Sequence, residues 1–139
     1  RIRIIQERGE LVPGAVVVEV LRQRLEQPDT VNGYIIDGFP RNQDQYDAYA
    51  AHDVPTAVIV IDVPRDVSLD RIAQRTRTEY RADDTPEAIA RRLDIYYADT
   101  VPLIEEYRRQ GLVRDVNGVG TIEEVADRIY GVCTQEGGC

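Results

Sequence analysis

Apolar residues in this chain come in blocks. Three short runs are rich in β-branched side chains: Tyr34-Ile35-Ile36-Asp37, Ala57-Val58-Ile59-Val60-Ile61-Asp62 and Leu112-Val113-Arg114-Asp115-Val116. The middle run is continuous rather than alternating, which is the pattern of a strand covered on both faces. Helical periodicity fills the intervals. Residues 14–26 predict a helix ended by Gln27-Pro28, and residues 42–51 predict another after the turn Gly38-Phe39-Pro40. Residues 66–77 predict a third, entered through Val63-Pro64. The longest helix is expected from about Thr85 to Gln110. Asp84 or Thr85 serves as its N-cap, Pro86 lies in its first turn and Gly111 is its stop. A last helix covers about 121–132, and the opening run RIRIIQERGE already reads as mid-helix.

Strands alternating with helices at this spacing predict an α/β fold, a parallel sheet with helices on both faces. The length of 139 residues suits one domain. Ligands of such folds bind beyond the carboxyl ends of the strands. Attention therefore falls on Asp37-Gly38-Phe39-Pro40-Arg41, Asp62-Val63-Pro64-Arg65 and Asn117-Gly118-Val119-Gly120.

Composition narrows the function. Hydrophobic residues make up 42%, enough for a core, and the net charge of −8 argues against a general nucleic-acid or anionic-membrane surface. No apolar run approaches the ~18 residues of a membrane span, and no signal peptide opens the chain, so the expected compartment is the cytoplasm. Methionine is absent and all 17 basic residues are arginine. Together with the mid-helix opening, this leads us to expect a natural N-terminus further upstream. Cys133 and Cys139 match no zinc or redox spacing and read as free thiols in a frayed tail. The lone His52 reads as a surface loop residue.

Chemistry concentrates in two places. Asp37 ends an apolar run before a glycine, where a carboxylate can hold a hydrated Mg²⁺ or simply cap a turn. Four residues on, Arg41 carries a planar guanidinium able to grip a phosphate with two prongs. The second place is the window 71–92, with six arginines against four carboxylates in an otherwise acidic chain. Arg71 and Arg75 share one helix face. Several arginines drawn from a helix, a loop and a second helix suit a polyphosphate whose charge shifts during transfer, although any one of them could be an ordinary solvated charge.

The segments DGFPRNQDQ (37–45), LDRIAQR (69–75), RADDTPEAIARRLDIYYADTVPLIEEY (81–107) and GELVPG (9–14) together resemble the adenylate kinase family of nucleoside monophosphate kinases. The resemblance runs from about residue 3 to 132. It implies a P-loop kinase-type parallel sheet flanked by helices, with 1–139 as the C-terminal part of a single kinase domain. About 1–30 would be the remainder of an AMP-binding region, and about 75–82 a short lid. It also implies transfer of a phosphoryl group from ATP to AMP with Mg²⁺, by a protein that is a monomer when complete. By resemblance, Asp37 orders the Mg²⁺ through water, and Gly38 and Arg41 contact AMP. Gln45 reads the adenine edge, as a two-pronged amide can. Glu10 and Val12 belong to the AMP pocket largely through backbone. Arg71 stacks on the ATP base, Arg75 contacts ATP phosphate, and Gly118 to Gly120 form the loop touching that base. By the same resemblance Arg81 and Arg92 also contact AMP and, with Arg41 and Arg75, clamp the transferring group.

The departures shape further expectations. The family's opening strand, its Gly-rich phosphate loop with a lysine, the following helix and an AMP-gripping arginine are not among these residues. By resemblance that strand lies between the strands ending at Asp37 and Asp62. Without it, those neighbours would expose unpaired backbone, and a polypeptide of these residues alone would be marginally stable and inactive. Tyr80 stands where the family usually has glycine, and Gly14 where an acidic residue usually helps to cap the next helix. The alternatives to an AMP kinase are a non-catalytic AMP-binding domain, or a UMP/CMP kinase, against which Gln45 weighs.

Overall fold

A computed structural model describes residues 2–79 and 81–135. In chain order the elements are α1 (Ile2–Glu7), α2 (Gly14–Leu25), α3 (Gln43–Ala50), β1 (Val58–Asp62), α4 (Arg65–Thr78), α5 (Pro86–Ile95), α6 (Val101–Arg109), β2 (Val113–Asn117) and α7 (Ile122–Gln135). A 3₁₀ turn at Pro28–Thr30 follows α2, and a π-helical turn at Tyr96–Thr100 joins α5 to α6. The chain divides into two compact units, residues 1–54 with 85–105 and residues 55–84 with 106–139.

In the first unit α2 packs on α3, and Val18, Tyr49, Ala88 and Leu103 are buried. Helix α2 follows Pro13 and has no side-chain cap of its own. Instead the Gly14 N–H donates to the Asp44 carboxylate of α3 at 2.6 Å. The expected weakness at Gly14 is thereby corrected: a carboxylate 30 residues away supplies the negative charge that a helix N-terminus favours. A Cβ on Gly14 would lie 2.6 Å from the Asp44 carbonyl oxygen, so the capping contact requires glycine. Helix α3 is capped by Asn42, and α5 by Thr85 with Pro86 at its first position. Thr85, and not Asp84, is thus the cap.

Residues 34–37 do not form the expected strand. Among the described residues no neighbouring strand pairs with them, and Ile35 is 87% exposed. A β-branched run becomes a strand only where a ladder satisfies its backbone. Side chains anchor the segment instead: the Tyr34 hydroxyl donates to Asp53 at 2.5 Å and lies 3.3 Å from the Tyr49 hydroxyl. The bond to Asp53, then that to Tyr49, push the Tyr34 phenol above its ordinary range. The Tyr34 bond holds the Asp53 carboxyl below its own.

The second unit holds the sheet. Among the described residues it has two strands, β1 and β2, which are parallel with Val58 opposite Val113 and Asp62 opposite Asn117. Tyr107 and Val116 are buried, and α7 packs on β2. The expected strand starts at 57 and 112 each move in by one residue, and β1 is not covered on both faces as its continuous apolar run predicts: none of its residues is buried and Ile61 is 48% exposed. The single helix expected over 85–110 is interrupted by the π turn, although its stop is as read. Gly111 adopts φ +75°, and the N–H groups of Gly111 and Leu112 return to Arg108 and Tyr107. Helix α7 opens with a reciprocal cap, Thr121 N–H to Glu124 Oε2 and Glu124 N–H to Thr121 Oγ1. It runs past 132 to Gln135, so Cys133 is a half-buried free thiol within a helix rather than part of a frayed tail. Cys139 and Tyr80 lie outside the described residues. His52 is exposed in the turn after α3, as expected. No described helix is long and apolar enough to cross a membrane.

Candidate functional site

Gln45 organises the first unit's share of the site. The Asn42 cap accepts its N–H at 2.9 Å and fixes the first turn of α3, leaving Gln45 only 4% exposed. Its Oε1 accepts from the Arg41 N–H and its Nε2 donates to the Val12 carbonyl, both at 2.8 Å. One buried amide thus joins the segment before α2 to the turn before α3. Each end of that amide retains a second hydrogen-bonding position, one lone pair and one hydrogen. Val12 takes part through its backbone, as expected. The Arg41 guanidinium is exposed and folds back so that Nε donates to the Gly38 carbonyl at 2.6 Å, where Gly38 adopts φ +73°.

A residue that sequence reasoning passed over completes this turn. The Thr100 hydroxyl donates to the Arg41 carbonyl at 2.6 Å. Thr100 closes the π-helical turn, a feature that recurs at functional sites but has no pattern in a single sequence. Glu10 faces Arg91 at 3.5 Å, and Arg92 stands half-buried in the last turn of α5. Asp37 is exposed, and no described residue bonds to its carboxylate. Nor is there, among the described residues, a cluster of three or more metal-ligating side chains. A lone open carboxylate fits a hydrated Mg²⁺ held through water, and does not fit a cage of protein ligands.

In the second unit, helix α4 carries Arg71 and Arg75 one turn apart. Arg75 forms a forked pair with Asp84, Nη2 to Oδ1 at 2.7 Å and Nε to Oδ2 at 3.2 Å. The Asp84 side chain is fully buried, whereas that of Arg75 is 32% exposed. The Asp84 N–H donates to the Arg81 carbonyl, and Arg81 pairs in turn with Asp83 at 3.2 Å. Asp84, weighed from sequence only as a cap, is the hub that ties Arg75 to the segment bearing Arg81. Its signal was the Asp83-Asp84 pair set among arginines. Helix α4 continues through Thr78, so the first residues assigned to the short lid are helical.

Arg71 meets the loop after β2. Its Nη2 donates to the carbonyls of Gly118 at 2.8 Å and Gly120 at 3.4 Å. The structure therefore unites Arg41, Gly38, Gln45 and Val12 in one unit. In the other it unites Arg71 with Gly118 and Gly120, and Arg75 with Arg81.

A family model described as adenylate kinase matches residues 1–112. The chain is 44% identical over 128 residues to the adenylate kinase of Bifidobacterium longum, covering 88% of this chain and 69% of that protein. It is 41% identical over 130 residues to that of Xylella fastidiosa strain M12, covering 90% and 70%. It is 38% identical over 130 residues to that of a Nocardioides species, covering 89% and 68%. A match of this breadth and identity, on a chain with this arrangement of side chains, means that the chain belongs to the adenylate kinase family.

Proposed function

We propose that this protein is an ATP:AMP phosphotransferase, in which Glu10, Val12, Gly38, Arg41 and Gln45 serve AMP and Arg71, Arg75, Gly118 and Gly120 serve ATP. The observation that carries the reading is the buried Gln45 amide joining Val12 to Arg41. It builds a wall of backbone carbonyl and amide beside a cation that can take a phosphate. The two unused positions on the amide are one donor and one acceptor, the complement of an adenine edge. Arg41, Arg75, Arg81 and Arg92 are the cations assigned to the transferring phosphoryl group, where catalysis is positioning and charge stabilisation. When bound, Mg²⁺ would neutralise phosphate charge, with Asp37 holding its water shell.

The test is ADP formation by the full gene product with Mg-ATP and AMP, CMP, UMP or GMP in turn. AMP is expected to be preferred by about tenfold or more, the discrimination that a base-edge hydrogen-bond pair supplies. Equal use of CMP or UMP would remove Gln45 from base reading, and no monophosphate-dependent ADP would end the kinase reading. A polypeptide limited to the 139 residues is expected not to turn over, because they contain no lysine and no Gly-rich phosphate loop. Turnover by that polypeptide at the rate of the full gene product would refute this.

Thr100→Val keeps the shape of the π turn and removes the hydroxyl. Stability should fall by about 1 kcal/mol, the worth of one hydrogen bond. AMP affinity should fall several-fold, because Arg41 loses a backbone tether. An unchanged AMP titration would show that the Thr100 hydroxyl does not position Arg41.

A further inference from the structure

The loop between β2 and α7 is held with unusual completeness. Arg71 of α4 donates to the carbonyls of Gly118 and Gly120, and Arg128 of α7 donates to those between them and before them. Arg128 Nη1 lies 2.8 Å from the Asn117 oxygen and 2.6 Å from the Val119 oxygen. Two guanidinium groups from different helices thus engage all four carbonyls from 117 to 120. The amides are fixed as well. The Gly118 N–H donates to the Asp62 carbonyl at 2.8 Å, and the Val119 N–H to Asn117 Oδ1 at 2.9 Å. Gly118 is buried, and a Cβ there would lie 2.5–2.6 Å from methyl groups of Val63 and Ile61, so the loop cannot shift inward. Among the described residues, none accepts from the Gly120 N–H.

We propose that Arg128 is a positioning residue that sets the backbone of loop 117–120 and thereby the base selectivity for the nucleoside triphosphate. The inference rests on the reading above that this loop faces the base. A loop that recognises a base through main-chain groups selects only as well as those groups are held. Each carbonyl keeps a second lone pair for a ligand, and a cation on the first lone pair fixes its direction. Arg71 cannot do this alone, because it reaches the Gly118 and Gly120 carbonyls, whereas those of Asn117 and Val119 are held by Arg128. Arg128 itself is assigned no contact with nucleotide.

The experiment is calorimetric titration of the full gene product and its R128A and R128K variants with ATP, GTP and AMP. Amide hydrogen exchange is followed at Val119 and along β2. The parent is expected to bind ATP more tightly than GTP. In R128A that preference should fall about five- to tenfold, the loss of a charge-assisted hydrogen bond. AMP affinity should stay within about twofold, a range that one shared hydrogen bond would exceed. Val119 exchange should accelerate while β2 stays protected. R128K should lie between the two, since an ammonium is a point charge without the guanidinium's fork. It also carries the test if R128A does not fold. A parent with no preference for ATP overturns the base-loop reading and this inference with it. A preference kept intact in a folded R128A overturns the role of Arg128 alone. Equal losses for ATP, GTP and AMP would make Arg128 a general stabiliser and likewise refute its role in selectivity.

Discussion

Asp84→Ala is expected to destabilise the protein by about 2–3 kcal/mol, with a fall in Tm of roughly 10 °C. The Asp84 carboxylate is wholly buried and shares a forked pair with Arg75. Removing one member of a fully buried ion pair costs about 3–5 kcal/mol, because the other charge is left without compensation. The smaller figure applies because Arg75 is about one-third exposed and can turn toward water. Asp84→Asn keeps the shape and one acceptor oxygen, so its loss should be intermediate. Chemical denaturation of the two variants beside the parent measures both. The same change should also weaken ATP binding, since the Asp84 carboxylate holds the direction of Arg75. An Asp84→Ala protein within about 0.5 kcal/mol of the parent would show that the pair contributes as little as an exposed one.

Arg41→Ala should reduce AMP-dependent turnover on the order of 100-fold or more, the effect of deleting one preorganised donor aimed at developing charge. Its guanidinium is exposed and donates to the Gly38 carbonyl at the surface, so stability should change by less than about 1 kcal/mol. That separation of activity from stability distinguishes a phosphate contact from a structural arginine. Arg41→Lys retains the charge but not the two-pronged geometry, and a loss of about tenfold is expected. Steady-state kinetics with AMP varied at saturating Mg-ATP provide the comparison. Parent-like turnover in the alanine variant would remove Arg41 from the site.

Much of the local structure was legible before any tertiary information. Thr85, Pro86 and Gly111 announced the ends of a helical region through capping chemistry that acts within a few residues. The continuous apolar run at 57–62 announced a parallel strand, but not its covering: no residue of β1 is buried, because burial is set by the neighbours and not by the run itself. The run at 34–37 has the same β-branched character and is not a strand. A strand is defined by its neighbours, and propensity cannot supply one. Helix α2 shows the same limit in reverse. Gly14 looked like a weak cap, yet Asp44 approaches from another helix and completes it.

The residue types on which phosphate chemistry depends are written in the chain: Asp37, the turn 38–41, and the arginines of the window 71–92. Charge and motif spacing are properties of the chain, and they survive in any conformation. What holds those residues is visible in the fold alone. It assigned Gln45 to the Val12 carbonyl and the Arg41 amide, Asp84 to Arg75, Thr100 to the Arg41 carbonyl, and Arg128 to the loop after β2. All but the Arg75–Asp84 pair are hydrogen bonds between a side chain and a backbone group. Backbone partners carry no residue identity, so no sequence pattern records them.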